Sequence, residues 1–295
     1  MSLASLYIRY VFGKGDRKRD AGLSTPDDVK RYDDIRYGKN RKYHLLDVYR
    51  PKDKEGKLPV IVSVHGGAWV YGTKETYQYY CMSLAQRGFA VVNFSYRLAP
   101  EHRYPAQIED TNTVIKWILA NAEDYGLDTD NVFAVGDSAG GHLLSVYTAM
   151  LNEKAYANYY GIDLPKGFMF NAIALNCGVY RQEKPEKKGL GALMYDLLPR
   201  NFSEEDFMML NSYDKIKEGY PPTFVMSANG DFLKEQVDVI VPELEKHGIK
   251  HQVKIYGSED HVLGHVFHCN VKTEDAAICN DEECEFFRAH MKERK

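Results

Sequence analysis

The sequence predicts an α/β protein: one mostly parallel sheet covered by helices on both faces. Three observations lead there. Residues 60–64 form a short, nearly continuous apolar run, the mark of a strand buried on both sides, and further strands are expected at 89–94, 131–135, 172–175, 223–227 and 251–256. Stretches with helical spacing separate them, which makes crossover helices on a parallel sheet the natural architecture. The chain also lacks internal repeats and low-complexity tracts, so its 295 residues fit one large domain with room for an insertion.

Taken in order, residues 1–30 are polar and loosely patterned and read as an N-terminal arm. Its charge run at 14–20 is expected to be a solvated face or a mobile stretch. Residues 31–295 form the α/β domain. Residues 34–37 and 43–49 flank Gly38, Lys39 and Asn40, a strand hairpin. Helices are expected over 74–87, ended by Gly88, and over 108–122 from the spacing of Ile108, Val114, Ile115, Ile118 and Leu119. Further helices are expected over 140–151, near 237–247 and near 274–291. One segment breaks the rhythm. Residues 179–220 are too long for a simple crossover and hold Pro185, Gly189, Gly191, Pro199 and an apolar patch at 190–198. They read as an inserted lid of short helices, with an ordinary long connection as the alternative.

Composition narrows the classes. A hydrophobic share of 44% and a charged share of 27% exclude collagen-like, disordered and coiled-coil chains. With 38 basic against 42 acidic residues the net charge is −4, whereas nucleic-acid binders usually carry a strongly basic domain. The apolar stretches are strand-length, so no membrane span is expected. Cys81, Cys177, Cys269, Cys279 and Cys284 are odd in number and form no Cys-x-x-Cys pair. Reduced thiols and a cytoplasmic location follow as the expectation, and the N-terminus lacks the order of a secretory signal. The oligomeric state is not legible.

Chemistry concentrates in two motifs. Gly136-Asp137-Ser138-Ala139-Gly140-Gly141 contains Gly-x-Ser-x-Gly, directly after a buried strand and at the start of a helix. A turn that sharp strains the serine backbone and pushes Oγ outward, and the helix N-terminus offers N–H groups to a developing anion. The bland alternative is a glycine-rich turn with an idle serine. His65-Gly66-Gly67-Ala68-Trp69 follows the strand 60–64. Such a loop of small residues can aim successive N–H groups at one point, with His65 and Gly66 as loop support.

A serine hydroxyl needs a base, and the base needs an orienting carboxylate, in the chain order Ser, Asp, His. Asp231 follows the strand 223–227, with Asp238 as a weaker rival. After the strand ending at Tyr256 come His261, His265 and His268. A metal reading of these histidines with Cys269 is set aside: the zinc-protease glutamate is missing and Gly264 argues against a helix.

On His65–Trp69, on Tyr96-Arg97-Leu98-Ala99-Pro100-Glu101 with Tyr104-Pro105-Ala106, on Gly136–Gly141 and on Asp231-Phe232-Leu233, the chain resembles the hormone-sensitive-lipase family of α/β-hydrolase esterases. The resemblance runs from about residue 45 to the C-terminus. It implies the α/β-hydrolase fold and a serine carboxylesterase that needs no cofactor or metal and takes a small-molecule ester. It implies Ser138, Asp231 and a histidine as triad, and oxyanion donors at Gly67, Ala68 and Ala139. It also implies a small helical lid built from the arm 1–30 and the insertion 179–220. Ala68 stands where the family usually has a third glycine, and His265-Val266-Phe267 where it has His-Gly-Phe. That pattern favours His265 as base, with His261 and His268 as alternatives. An amidase or formamidase with the same triad, or a non-catalytic binding protein on this fold, are the competing functions.

Overall fold

The computed structural model describes residues 1–182 and 189–293. The chain runs α1 (Leu3–Asp20), β1 (Val29–Arg36), β2 (Leu45–Pro51), β3 (Leu58–Val64), α2 (Lys74–Gln86), β4 (Ala90–Phe94) and α3 (Ala106–Tyr125). It continues through β5 (Leu127–Asp137), α4 (Ala139–Asn152), α5 (Lys154–Tyr159), β6 (Ala172–Asn176), α6 (Ala192–Leu197) and α7 (Glu204–Met208). It ends with β7 (Thr223–Ala228), α8 (Val237–Lys246), β8 (His251–Tyr256) and α9 (Glu274–Arg288).

Side-chain alternation explains why the apolar runs are continuous. In β3, Val60, Val62 and Val64 join one core while Ile61 joins the other. In β5, Val132 and Ala134 face the first core, and Phe133 and Val135 the second. α3, α4 and α8 cover the first face; α2 and α9 cover the second. Ile61 is fully buried, so truncating it to alanine should cost about 2–5 kcal/mol.

Among the described residues the strands form one sheet in the order β1-β2-β4-β3-β5-β6-β7-β8. β2 is antiparallel to β1 and β4; every other pair is parallel. The parallel strands therefore finish at one edge, and loops leaving that edge can converge on a ligand. The architecture is the α/β-hydrolase fold.

The N-terminal arm differs from expectation. Residues 3–20 form a single helix, capped by the Ser2 hydroxyl, which accepts from Ser5 N–H. Its charge run is not a solvated face throughout. Arg19 turns inward, donates to the Thr76 carbonyl and pairs with Asp16 and Asp20. Apolar residues lie on both faces of this helix, with Ile8 buried in the core and Leu3, Leu6, Tyr7 and Tyr10 exposed, so no single apolar stripe marks it in the sequence.

The segment expected to form an insertion, 179–220, carries α6, α7 and two short 3₁₀ turns; its residues 183–188, with Pro185, lie outside the described residues. Asp196 of α6 accepts from Ser2 N–H at 2.7 Å and the Ser5 hydroxyl at 2.5 Å, which joins α1 to the segment.

Candidate active site

The strand β5 runs straight into α4 with one residue between them. Ser138 occupies that turn at φ 53° and ψ −119°, a backbone state that costs an ordinary residue of order 1–3 kcal/mol. Its N–H donates to the Asn176 carbonyl at 2.9 Å, and its hydroxyl makes no capping bond to α4. Close approach is what demands glycine here. A Cβ on Gly140 would collide with the Val64 carbonyl oxygen, and one on Gly136 would meet the Gly140 carbonyl at 2.6 Å.

The loop after β3 is also wound left-handed, with Gly67 at φ 113°, Ala68 at 51° and Trp69 at 61°. Ala68 holds a conformation that glycine would adopt without strain. The loop turns because Val70 and Tyr71 N–H both donate to the Gly67 carbonyl. Among the described residues, the N–H groups of Gly67 and Ala68 have no hydrogen-bond partner. His65 braces the loop from below: its ring stacks on Tyr96 at 3.9 Å, and Nδ1 lies 2.8 Å from the Gly66 carbonyl. Burial pulls its pKa down to about 4, so the ring is neutral. Trp69 Nε1 donates to His142 Nδ1 at 3.1 Å, and His142 Nε2 donates to the Leu210 carbonyl at 2.8 Å. The loop, α4 and the segment 179–220 are thereby pinned together.

Asp231 follows β7 and is 6% exposed. Three donors surround its carboxylate: the Ser227 hydroxyl at 3.0 Å, Leu233 N–H at 2.8 Å and His265 Nδ1 at 2.8 Å. Burial pushes the carboxyl upward, but the His265 and Leu233 bonds and the Cys177 thiol bring it below its ordinary value. An ionised Asp231 fixes the proton of His265 on Nδ1 and leaves Nε2 as acceptor.

The other two histidines stand elsewhere. His261 is on the surface, with Nε2 3.0 Å from Asp275. His268 is fully buried against Tyr80 and Cys269, and burial lowers its pKa to about 3. Val266, where the family pattern has glycine, sits at φ 52°, strained for a β-branched residue. The suspected metal set of His261, His265, His268 and Cys269 is not brought together. The ligand-type clusters among the described residues are Cys177–Asp231–His265 and Asp137–His268–Cys269; the first is closed by the Asp231–His265 bond and the second is wholly buried.

Ser138, His265, Gly66 and Gly67 open onto a cavity of about 330 Å³. Sequence reasoning missed part of its wall. α1 contributes Val11, Phe12, Gly15, Asp16 and Arg19, and Tyr71, Tyr77 and Asp137 complete that side. Tyr71 donates to Asp16 at 2.8 Å, and Tyr77 to Asp137 at 2.5 Å. Burial raises Asp137 to about 7 against the opposing pull of the Tyr77 bond. The signal available for Asp137 was its place at the end of β5 directly before Ser138; for α1 the resemblance implied a lid from the arm 1–30 without naming residues.

Known proteins bear on this site. The family profile BD-FAE matches residues 46–235. Esterase LipC of Mycobacterium tuberculosis is 40% identical over 198 residues, covering 63% of this chain and 48% of its own. The versiconal hemiacetal acetate esterase of Dothistroma septosporum is 28% identical over 217 residues, covering 68% of this chain and 65% of its own. The chain thus spans about half to two thirds of the length of these relatives. Esterase B from Lactobacillus Rhamnosis superposes at TM-score 0.88 and 26% identity, over 98% of this chain and 95% of that one. A structure of it with a C4-C4 SN3 tributyrin phosphonate gives TM-score 0.88 and 25% identity, over 99% and 96% of the two chains.

Proposed function

Since the chain belongs to the BD-FAE family, among α/β-hydrolases of the hormone-sensitive-lipase type, we propose that it is a serine carboxylesterase for short-chain acyl esters. Ser138 Oγ attacks the ester carbonyl while His265 Nε2 takes its proton. The N–H groups of Gly67, Ala68 and Ala139 hold the oxyanion. His265 then protonates the leaving alkoxide, and Asp231 stabilises the imidazolium. Water, deprotonated by the same histidine, hydrolyses the acyl-enzyme and restores Ser138. Among the described residues no helix is long and apolar enough to cross a membrane, and five buried free cysteines suit a reducing compartment such as the cytoplasm.

The observation that carries this reading is the 2.8 Å bond between His265 Nδ1 and Asp231 at the wall of the cavity that holds Ser138. The lid is assigned to α1, which lines one side of the cavity, and to the segment 179–220, which is tied to α1 through Asp196. A cavity of about 330 Å³ favours small acyl groups. On p-nitrophenyl esters kcat/KM should peak between acetate and hexanoate and fall by decanoate. A maximum at dodecanoate or longer would replace short-chain esterase by lipase, and turnover of anilides but not esters would replace it by amidase.

A further inference from the structure

α1 buries Ile8 against the core and turns Val11 and Phe12 to the cavity, yet it also carries apolar residues on its outer face. Leu3, Leu6, Tyr7 and Tyr10 are 84%, 50%, 64% and 68% exposed. Their spacing of three and four places them on one outer stripe, and the stripe continues through Lys14, Arg17 and Lys18, all exposed. Both acids of the helix, Asp16 and Asp20, are instead engaged by Arg19. None of Lys14, Arg17 and Lys18 is in an ion pair among the described residues. The outer face is therefore apolar and aromatic in its first half, cationic in its second, and free of negative charge. It does so on a chain of net charge −4, so the patch is local.

We propose that this face docks in the plane of an anionic lipid surface. Leucine and tyrosine side chains suit the boundary between headgroups and acyl chains, and a neighbouring cluster of lysine and arginine suits anionic headgroups. A second copy of the chain fits less well. A two-fold axis would set the cations of one helix against those of its mate, or against its apolar half. The helix is held firmly enough to act as a rigid platform: Arg9 on its inner side bonds to the Val70 and Ala99 carbonyls and pairs with Glu101. Phe232, 70% exposed, borders the same cavity as α1 and extends the apolar rim. Docked, the chain would hold that cavity about one helix diameter from the lipid. Access of lipid-dissolved esters to it rests on the hydrolase reading; docking itself does not.

Co-sedimentation tests docking without turnover, so its failure leaves the hydrolase reading untouched and the reverse holds too. The protein should partition onto vesicles of phosphatidylglycerol mixed with phosphatidylcholine at about 0.05 M salt and leave them by about 0.5 M. Vesicles of phosphatidylcholine alone should bind far less. The triple variant Lys14→Glu, Arg17→Glu, Lys18→Glu should lose about 10²-fold in partitioning, given three cations at the surface. Leu6→Ser with Tyr7→Ser and Tyr10→Ser should also weaken it. Both variants should keep turnover of a soluble ester, which shows that they fold. Equal binding to neutral and anionic vesicles, or none to either, overturns the proposal. A dimer seen by sedimentation velocity and abolished by Tyr10→Ser would give the face to a second copy.

Discussion

Two carboxylates end neighbouring regions of the same sheet edge and behave in opposite ways. Asp231, after β7, and Asp137, closing β5, are both buried. Asp231 accepts from a hydroxyl, a main-chain N–H and an imidazole, and its pKa lies below the ordinary carboxylate value. Asp137 has the Tyr77 hydroxyl as its close donor, and burial raises it to about 7. Burial and donor number, set by the loops around each strand end, leave Asp231 ionised and Asp137 about half protonated at neutral pH. Pairs of groups pushed apart in this way can divide labour, and under the proposed mechanism Asp231 would be the charged orienter beside the base and Asp137 a partly protonated carboxyl beside the nucleophile.

The largest effect should come from removing the charged member or its partner. Asp231→Asn should lower kcat roughly 10⁴-fold, because an amide no longer enforces the Nδ1 tautomer of His265. His265→Gln should do at least as much, while His261→Gln and His268→Gln should keep the acyl-enzyme burst. Asp137→Asn should cost less than about tenfold, since it replaces a group already largely neutral below pH 7. Stopped-flow burst amplitudes separate these outcomes. A loss with Asp137→Asn as large as with Asp231→Asn would break the contrast.

The next effect is on stability against pH. A carboxyl raised to about 7 in the folded state binds a proton there that the unfolded chain has released above about pH 3.9. Its contribution to stability is full at acid pH and falls as pH rises from about 4 to 7. The total loss is about 4 kcal/mol by pH 8. Asp231 is lowered, so its contribution has the opposite sign and is lost as pH falls through its folded value. Glu283, buried with Asn176 and Tyr80 and also raised to about 7, adds to the first arm. Urea titrations from pH 5 to 8 should therefore show Asp137→Asn losing part of the wild-type decline, with Glu283 supplying the remainder. Unchanged slopes would show that Asp137 is ionised and solvated.

A smaller effect sharpens the same comparison at the base. Val266 holds a left-handed backbone next to His265. Val266→Gly relieves that strain and Val266→Ala does not, so thermal unfolding should find the glycine variant more stable by about 1 kcal/mol. The usual order, alanine above glycine, would show that the turn is unstrained.

Legibility follows the same physics. Ser138, Gly140 and Gly67 were readable because the geometry there tolerates few residue types: a Cβ on either glycine would collide with main-chain oxygen. The central strands β3, β4, β6 and β7 were readable because two-sided burial leaves a nearly uninterrupted apolar run. Asp231 was readable from its place after β7. The family pattern favoured His265 among three histidines, but its 2.8 Å distance to Asp231 is information that the sequence does not carry. α1 stayed hidden because apolar residues lie on both its faces: Ile8, Val11 and Phe12 point inward while Leu3, Leu6, Tyr7 and Tyr10 are exposed, so no single hydrophobic stripe stood out in the sequence. The junction of α1 with the segment 179–220 depends on pairing across nearly two hundred residues, as in the Ser5–Asp196 bond, and not on a local motif.

The most direct test of the account is covalent. Reaction with diethyl p-nitrophenyl phosphate followed by peptide mapping should find one phosphoryl adduct, on Ser138, with loss of esterase activity in step with labelling. The adduct should be absent from Ser138→Ala, which should also lose at least about 10³-fold in kcat while folding normally. A label on another serine, or full hydrolysis by Ser138→Ala, would contradict the assignment of Ser138 as the nucleophile.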